Sequence, residues 1–229
     1  LRVGPSGSIH TISVAPPSTT FTCAAPATVQ LRIDQIGNTT QVRGYDILFH
    51  IDPAVAVIAD PSTDIVEGAY LASAGGTAFY GVSYGGGVYG VSCAILGGNA
   101  GATGDGEICT VTLTPIAQGT SAIDITSLKL RNLDNDPLGV DGADGLIRTD
   151  CAPPTMEPIA EPQNQCYRLA PVFSNFGFDD GTNLDLAEYK IDSGSWTTIF
   201  SGIDAASWDS DGWTVPGFAA LSEGAHTIY

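Results

Sequence analysis

The chain is short of cations. Lys and Arg number 8 against 25 Asp and Glu in 229 residues, a formal net charge of −17. A surface of that sign repels phosphate backbones and anionic headgroups, which excludes nucleic acid and anionic membrane as partners. No apolar run reaches the roughly 20 residues that a membrane-spanning helix needs, so membrane insertion is not expected. The opening LRVGPSGSIH lacks the apolar centre of a signal peptide, as would a mature chain whose signal had been removed. There is no Cys-x-x-Cys pair, which argues against a zinc knuckle or a thioredoxin-type site. No stretch repeats its apolar residues with the 3.6-residue period of an amphipathic helix.

Cysteines are present in odd number: Cys23, Cys93, Cys109, Cys151 and Cys166. One is therefore free, bonded between chains or bonded to something else, and the rest read as disulfides of an oxidising compartment. Cys93 and Cys109 fall in phase with apolar neighbours, and a bridge between them is the first expectation. Cys151 and Cys166 flank a Pro-rich stretch and are expected to staple it, which leaves Cys23. The alternative joins Cys23 to Cys151, tying the first strand to the last. Buried free thiols are a further reading.

What the chain has in quantity is alternation. TVQLRI places Val29, Leu31 and Ile33 on one face, and GYDILFHI places Tyr45, Ile47, Phe49 and Ile51 together. VYGVSCAIL and GEICTVTL repeat the pattern through Tyr89, Val91, Cys93 and Ile95, then Cys109, Val111 and Leu113. SAIDITSLKLRN and DGLIRTD add two strands, with turns such as DQIGNTT and LDNDPLG between strands. Many short strands so spaced imply an all-β antiparallel sandwich or barrel, and the 43% hydrophobic content suffices for a core. A stiff linker over 151–163 is expected from Pro153, Pro154, Pro158 and Pro162, since proline cannot donate to a ladder. It separates a domain over 1–150 from a second over 164–229. All three tryptophans, Trp196, Trp208 and Trp213, lie in the second, where with Phe200 and Phe218 they are expected to form an aromatic core around an AEYKIDSGSWTTIF hairpin.

Several motifs suggest chemistry that their context withholds. GVSYG around Ser83 fits the serine-hydrolase pattern, but the elbow must lead into a helix and be followed by an acid and a histidine. The only later histidine is His226, in the other domain. GGGVYG, Gly85 to Gly90, has dinucleotide spacing but reads as a hairpin turn, because no helix follows to hold a pyrophosphate. Asp134, Asp136, Asp141 and Asp144 crowd a Gly-rich turn. Leu138 and Gly145 stand where an EF-hand loop needs oxygen ligands, so only a looser calcium site is open, beside solvated turn carboxylates. Asp179, Asp180 and Asp185 form a second group of that kind. Asn38-Thr39-Thr40 is a glycosylation sequon. His10, His50 and His226 are scattered and suggest no metal or acid–base cluster. Catalytic residues are therefore expected to be none and no cofactor is required, calcium being the one candidate.

The phrases ISVAPPSTTFTCAAPATVQLRI, VRGYDILFHIDPAVAVI and GVYGVSCAILGG…GEICTVTLTPIAQGTSAIDITSLKLRN occur in one collinear series. Over roughly residues 9 to 150 that series resembles the cohesin-like family, secreted bacterial β-sandwiches of the carbohydrate-binding-module superfamily. The resemblance implies a jelly-roll sandwich with no enzymatic activity. The segment from APVFSNFGFDDG to ALSEGAHTIY resembles bacterial immunoglobulin-like repeats of large surface proteins, here without the closing strand or strands. Together these imply an extracellular or cell-surface adhesion or structural module whose partners are other protein chains. A fibre or surface-layer subunit assembled by β-strand complementation is one form of it, with SGSIHTISV as donor. The alternative is a carbohydrate-binding or cohesin-type scaffold module acting in polysaccharide attachment. For glycan contact the candidates are Tyr84 and Tyr89, from a set that also holds Tyr70, Phe79 and Tyr80; core packing is the competing role.

Overall fold

The computed structural model describes residues 10–35, 40–153, 155–156, 172–173, 176–178, 184–205, 207–209, 213–216, 221 and 226–228. The chain divides into two compact units, Leu1–Cys151 and Ala152–Tyr229.

The first unit is a sandwich of two sheets. Its strands are β1 (His10–Ala15), β2 (Ser18–Thr22), β3 (Ala27–Gln35), β4 (Gly44–Ile51), β5 (Ala56–Val57), β6 (Ile65–Glu67), β7 (Thr77–Gly85), β8 (Val88–Ile95), β9 (Gly106–Pro115), β10 (Gly119–Arg131), β11 (Pro137–Leu138), β12 (Val140–Ala143) and β13 (Gly145–Asp150). One sheet runs β12-β1-β3-β9, with β5 and β6 both on β9. The other runs β2-β13-β10-β4-β8-β7, with β11 on β10. Alternation drives this arrangement. In β4, Tyr45, Ile47, Phe49 and Ile51 are buried while Asp46, Leu48 and His50 are not. The facing sheet answers with Ile12, Leu31, Ile33 and Leu113, all fully buried. Each such side chain contributes about 1.5–3 kcal/mol by leaving water.

The expected all-β sandwich is the one formed, with two single-turn helices between its strands. Before α1 (Pro61–Asp64), the Asp60 carboxylate caps the turn by accepting from Ser62 N and Ser62 Oγ, with Pro61 at the first helical position. The second, α2 (Ala69–Ala72), buries Tyr70 and Leu71. The sheets are not wholly antiparallel. β1 pairs parallel with β12, and β2 pairs parallel with β13. Two of the chain's passages from one sheet to the other, between β1 and β2 and between β12 and β13, thus run side by side in the same direction. Gly145 permits the crossing, since a Cβ there would stand 2.6 Å from Val14 Cβ.

The same closure settles the cysteines. Cys23 follows β2, Cys151 follows β13, Cys23 N donates to Asp150 O, and the two are bonded with Cα atoms 4.8 Å apart. The alternative pairing is thus the one formed, and Cys151 does not pair with Cys166, which lies outside the described residues. Cys93 and Cys109 are free buried thiols, contrary to the first expectation. They sit in opposite sheets. Cys93 Sγ donates to Glu67 Oε1, and the Tyr45 hydroxyl donates to Ile108 O. Burial pushes both thiols up to about 12, which leaves them unreactive at neutral pH.

The second unit contains β14 (Thr155–Met156), β15 (Val172–Phe173), β16 (Phe176–Phe178), β17 (Leu184–Tyr189), β18 (Thr197–Ala205), β19 (Ser207–Asp209) and β20 (Trp213–Thr214). They form ladders β14-β16-β19, β15-β20 and the β17-β18 hairpin. Part of the expected linker is thus a strand, β14 pairing with β16; residues 157–163 lie outside the described residues. The aromatic core centres on Trp213, whose ring is 5.0 Å from both Phe173 and Tyr189. Trp196 and Phe200 are exposed instead, and Trp196 lies under Lys190 Nζ. The side chains of Trp208 and Phe218 lie outside the described residues. His226–Ile228 return to the hairpin: Ile228 bridges Ile191, Thr227 N donates to Asp192 Oδ1, and His226 Nδ1 is 2.7 Å from Asp192 Oδ2. No helix among the described residues is long and apolar enough to cross a membrane.

Candidate functional site

The outward phase of the seven-stranded sheet is not uniformly polar. Register places Ser127, Leu48, Gly90 and Val82 in one row across β10, β4, β8 and β7. The next row is Lys129, Asp46, Ser92 and Tyr80. Tyr84 follows Tyr80 and Val82 at the strand's period of two and shares their face, and a bulge between Ser83 and Gly85 makes it the extra residue of β7. Gly90 is the floor of this patch. A Cβ there would meet the Tyr84 ring at 2.8 Å, Leu48 Cδ2 at 3.1 Å and Val82 Cγ1 at 3.2 Å. Tyr80 is 70% exposed and Tyr84 65%. The rim is polar: Asp46 accepts from Ser92 Oγ at 3.0 Å and Lys129 Nζ at 3.2 Å, while His50 and Asp124 stand 3.8 Å apart. Such exposed pairs give at most about 1 kcal/mol of stability. A flat apolar and aromatic centre with a polar rim is the composition of a docking surface.

The turn from β7 to β8 holds this face in shape. Gly85, Gly86 and Gly87 all have positive φ, and a Cβ on Gly87 would fall 2.1 Å from Ile51 O. GGGVYG is accordingly a hairpin turn with no helix behind it. Ser83 is exposed on strand β7, its Oγ accepting from Gly85 N, rather than on a strand-to-helix elbow.

The tyrosines separate sharply. Tyr84 belongs to the face, but Tyr89, the other expected glycan contact, is 4% exposed. It lies in phase with Val91, packs on Phe49, and its hydroxyl accepts from Ile58 N at 3.0 Å. Tyr70 is buried, its hydroxyl accepting from Gln35 Nε2, and Phe79 packs against the core. The calcium candidates do not gather, because their backbone segments hold them apart. Asp141 sits in β12 opposite Thr11, Asp144 Oδ1 accepts from Ile125 N, and Asp134 and Asp136 lie in the turn before β11. Among the described residues no three acidic, His or Cys side chains come together as a metal site. Asn38, Asp179 and Asp180 lie outside the described residues, as does the Asp185 side chain. His10 is buried with Nδ1 3.0 Å from Gly139 O. Residues 10–14 of the expected donor strand are already built into β1, with β3 on one side and β12 on the other. They are therefore not free to leave for a neighbouring chain. Leu48 and Val82 were not singled out from sequence, although Leu48 is the one apolar residue in the outward phase of GYDILFHI.

No family model matches the chain, and no curated protein matches its sequence. Solved structures do match. A type I cohesin–dockerin complex from Clostridium thermocellum aligns at 10% identity over 66% of this chain and 100% of that one, TM-score 0.52. The third ScaC cohesin of Acetivibrio cellulolyticus, solved with the ScaB dockerin, aligns at 13% identity over 63% and 100%, TM-score 0.50. The seventh ScaB type I cohesin of Pseudobacteroides cellulosolvens aligns at 10% identity over 70% and 99%, TM-score 0.50. The matched shares correspond in size to the first unit. Its fold is that of a cohesin-like β-sandwich.

Proposed function

We propose that the chain is a secreted or cell-surface, non-catalytic module that binds another polypeptide through the outer face of its seven-stranded sheet. The observation that carries the reading is the patch of Leu48, Val82 and Tyr84 assembled over Gly90, with Tyr80 in the adjoining row. Support comes also from the cohesin-like fold, whose solved examples include complexes with a dockerin protein, and from the Cys23–Cys151 bond, which suits an oxidising compartment. In this reading residues 164–229 are an immunoglobulin-like surface repeat, and the bound polypeptide is an adhesion partner or a neighbour in a fibre or surface layer. The reading requires no cofactor.

Polysaccharide is the second reading, favoured by one observation: Tyr80 and Tyr84 expose aromatic rings on one face. A single pair of assays separates the two. The double variant Tyr80→Ala, Tyr84→Ala is compared with the unaltered chain for capture of secreted proteins and for binding to a glycan array. Protein capture reduced at least about tenfold, or 1.4 kcal/mol, with a blank glycan array, supports the first reading. Glycan binding lost in the variant supports the second. Protein capture unchanged in the variant overturns the first.

A further inference from the structure

A strand at the edge of a sheet leaves alternate N–H and C=O groups without ladder partners, and proteins blunt such edges with shortness, charge or proline. In the first unit most edges are blunted. β5 and β6 are two and three residues long, and β12 is four residues and carries Asp141. β2 is five residues, follows Pro16 and Pro17, and is tied down by Cys23. β7 is different. It is nine residues, TAFYGVSYG, with no charge and no proline, and it ends the seven-stranded sheet.

The surroundings of β7 are anionic. From Gly44 through Leu128 the chain contains no Lys or Arg, and α1, β6, β7 and β8 all fall within that stretch. The segment Pro61–Ile65 runs beneath β7 on its core side: a Cβ on Gly81 would lie 2.5 Å from Pro61 O and 3.2 Å from Ile65 Cβ. Asp60 adjoins Pro61 and Asp64 adjoins Ile65, so the chain holds both carboxylates next to the residues that lie against Gly81. Asp60 is held below the usual carboxylate range by the hydrogen bonds from Ser62, so it is charged at any physiological pH.

We infer that β7 is a docking edge that takes an extended, cationic segment of a partner polypeptide as an added strand of the seven-stranded sheet. Main-chain hydrogen bonds supply the affinity, and alternate basic side chains on the face of Asp60 and Asp64 supply the selectivity. A second copy of this chain is the poorer occupant. At −17 it is repelled, and its own β7 has no cation to offer. The inference uses the backbone edge with Asp60 and Asp64 and none of the residues of the apolar patch, so it stands or falls apart from the proposed function.

The test uses the whole chain and a displayed library of random peptides. Enriched peptides are expected to alternate β-branched residues with Lys or Arg. Their affinity should fall at least about tenfold between low and high salt. Bound peptide should slow hydrogen exchange at alternate amides of Thr77–Tyr84, and methylating alternate backbone nitrogens of the peptide should abolish binding. Ala78→Lys, at an exposed position of the edge, should weaken binding at least about tenfold, while Leu48→Ala on the patch should leave it within about twofold. Peptides that bind regardless of backbone methylation and leave the β7 amides unprotected would overturn the inference. So would enrichment of acidic peptides, failure of any peptide to enrich, or a dimer of the chain that protects the β7 amides without peptide.

Discussion

The two sheets of the first unit share one core but turn opposite kinds of surface outward. The six-stranded sheet shows a hydrogen-bonded polar lattice. Gln30 Nε2 donates to Glu107 Oε2, Thr110 Oγ1 donates to Glu107 Oε1, and Ser13 Oγ donates to Asp34 Oδ2. Its outward groups satisfy one another and leave little for a partner to gain. The seven-stranded sheet shows Leu48, Val82 and Tyr84 over a glycine floor, with the open Tyr80 beside them. Burying that surface against a partner releases apolar area from water and breaks few hydrogen bonds. The contrast favours the seven-stranded sheet as the face of the proposed interface, which neither charge nor motif points to.

The largest effects concern what the two sheets share. Phe49→Ala, one residue from the outer face, should cost about 3–5 kcal/mol, and Leu48→Ala, on that face, less than about 1 kcal/mol. Denaturant unfolding of both variants measures this; equal costs would mean that β4 has no inner and outer phase. Next is the bond that closes both sheets. Cys23→Ser with Cys151→Ser should lower stability by about 4–5 kcal/mol, the chain-entropy value for a loop of this length, read as a shift of the urea midpoint. In the oxidised chain, alkylation should reach Cys93 and Cys109 only after unfolding.

Smaller effects sharpen the comparison between faces. Gln30→Ala and Thr112→Ala should leave partner binding within about twofold, a change too small to mark an interface contact, whereas the Tyr80 and Tyr84 double variant loses it. The smallest effect lies in the second unit. Hydrogen bonds from His226 and Thr227 N hold the Asp192 carboxyl below its usual range. A depressed folded value stabilises above the unfolded value of about 3.9 and is lost as pH falls through the folded one. Asp192→Ala should therefore flatten the acid limb of the second unit's stability curve and leave stability above pH 7 nearly parallel to the parent's.

Alternation made most of the first unit legible in the sequence, because a half-buried strand must repeat every two residues. It even placed Tyr89 correctly, in phase with Val91 and Cys93, although the residue type suggested glycan contact. What stayed hidden depends on departures from period two. A bulge opposite Leu31 and Arg32 leaves Ile108 unpaired, so Ile108 and Cys109 are buried in succession. Cysteine pairing was also hidden, since it requires Cα atoms within about 7 Å, and proximity of residues 128 apart is decided by the paired sheet crossings. In the second unit, aromatic content indicated a core but not that Trp213 alone among the described tryptophan side chains is buried.

The most direct test of the binding face places a photo-crosslinking residue at Tyr80 or Tyr84 and, separately, at Gln30 or Thr112. Each chain is then exposed to the secreted proteins among which it is made. The account predicts protein adducts from positions 80 and 84 and none from 30 and 112. Adducts from 30 and 112 alone, or equally from all four, would contradict it.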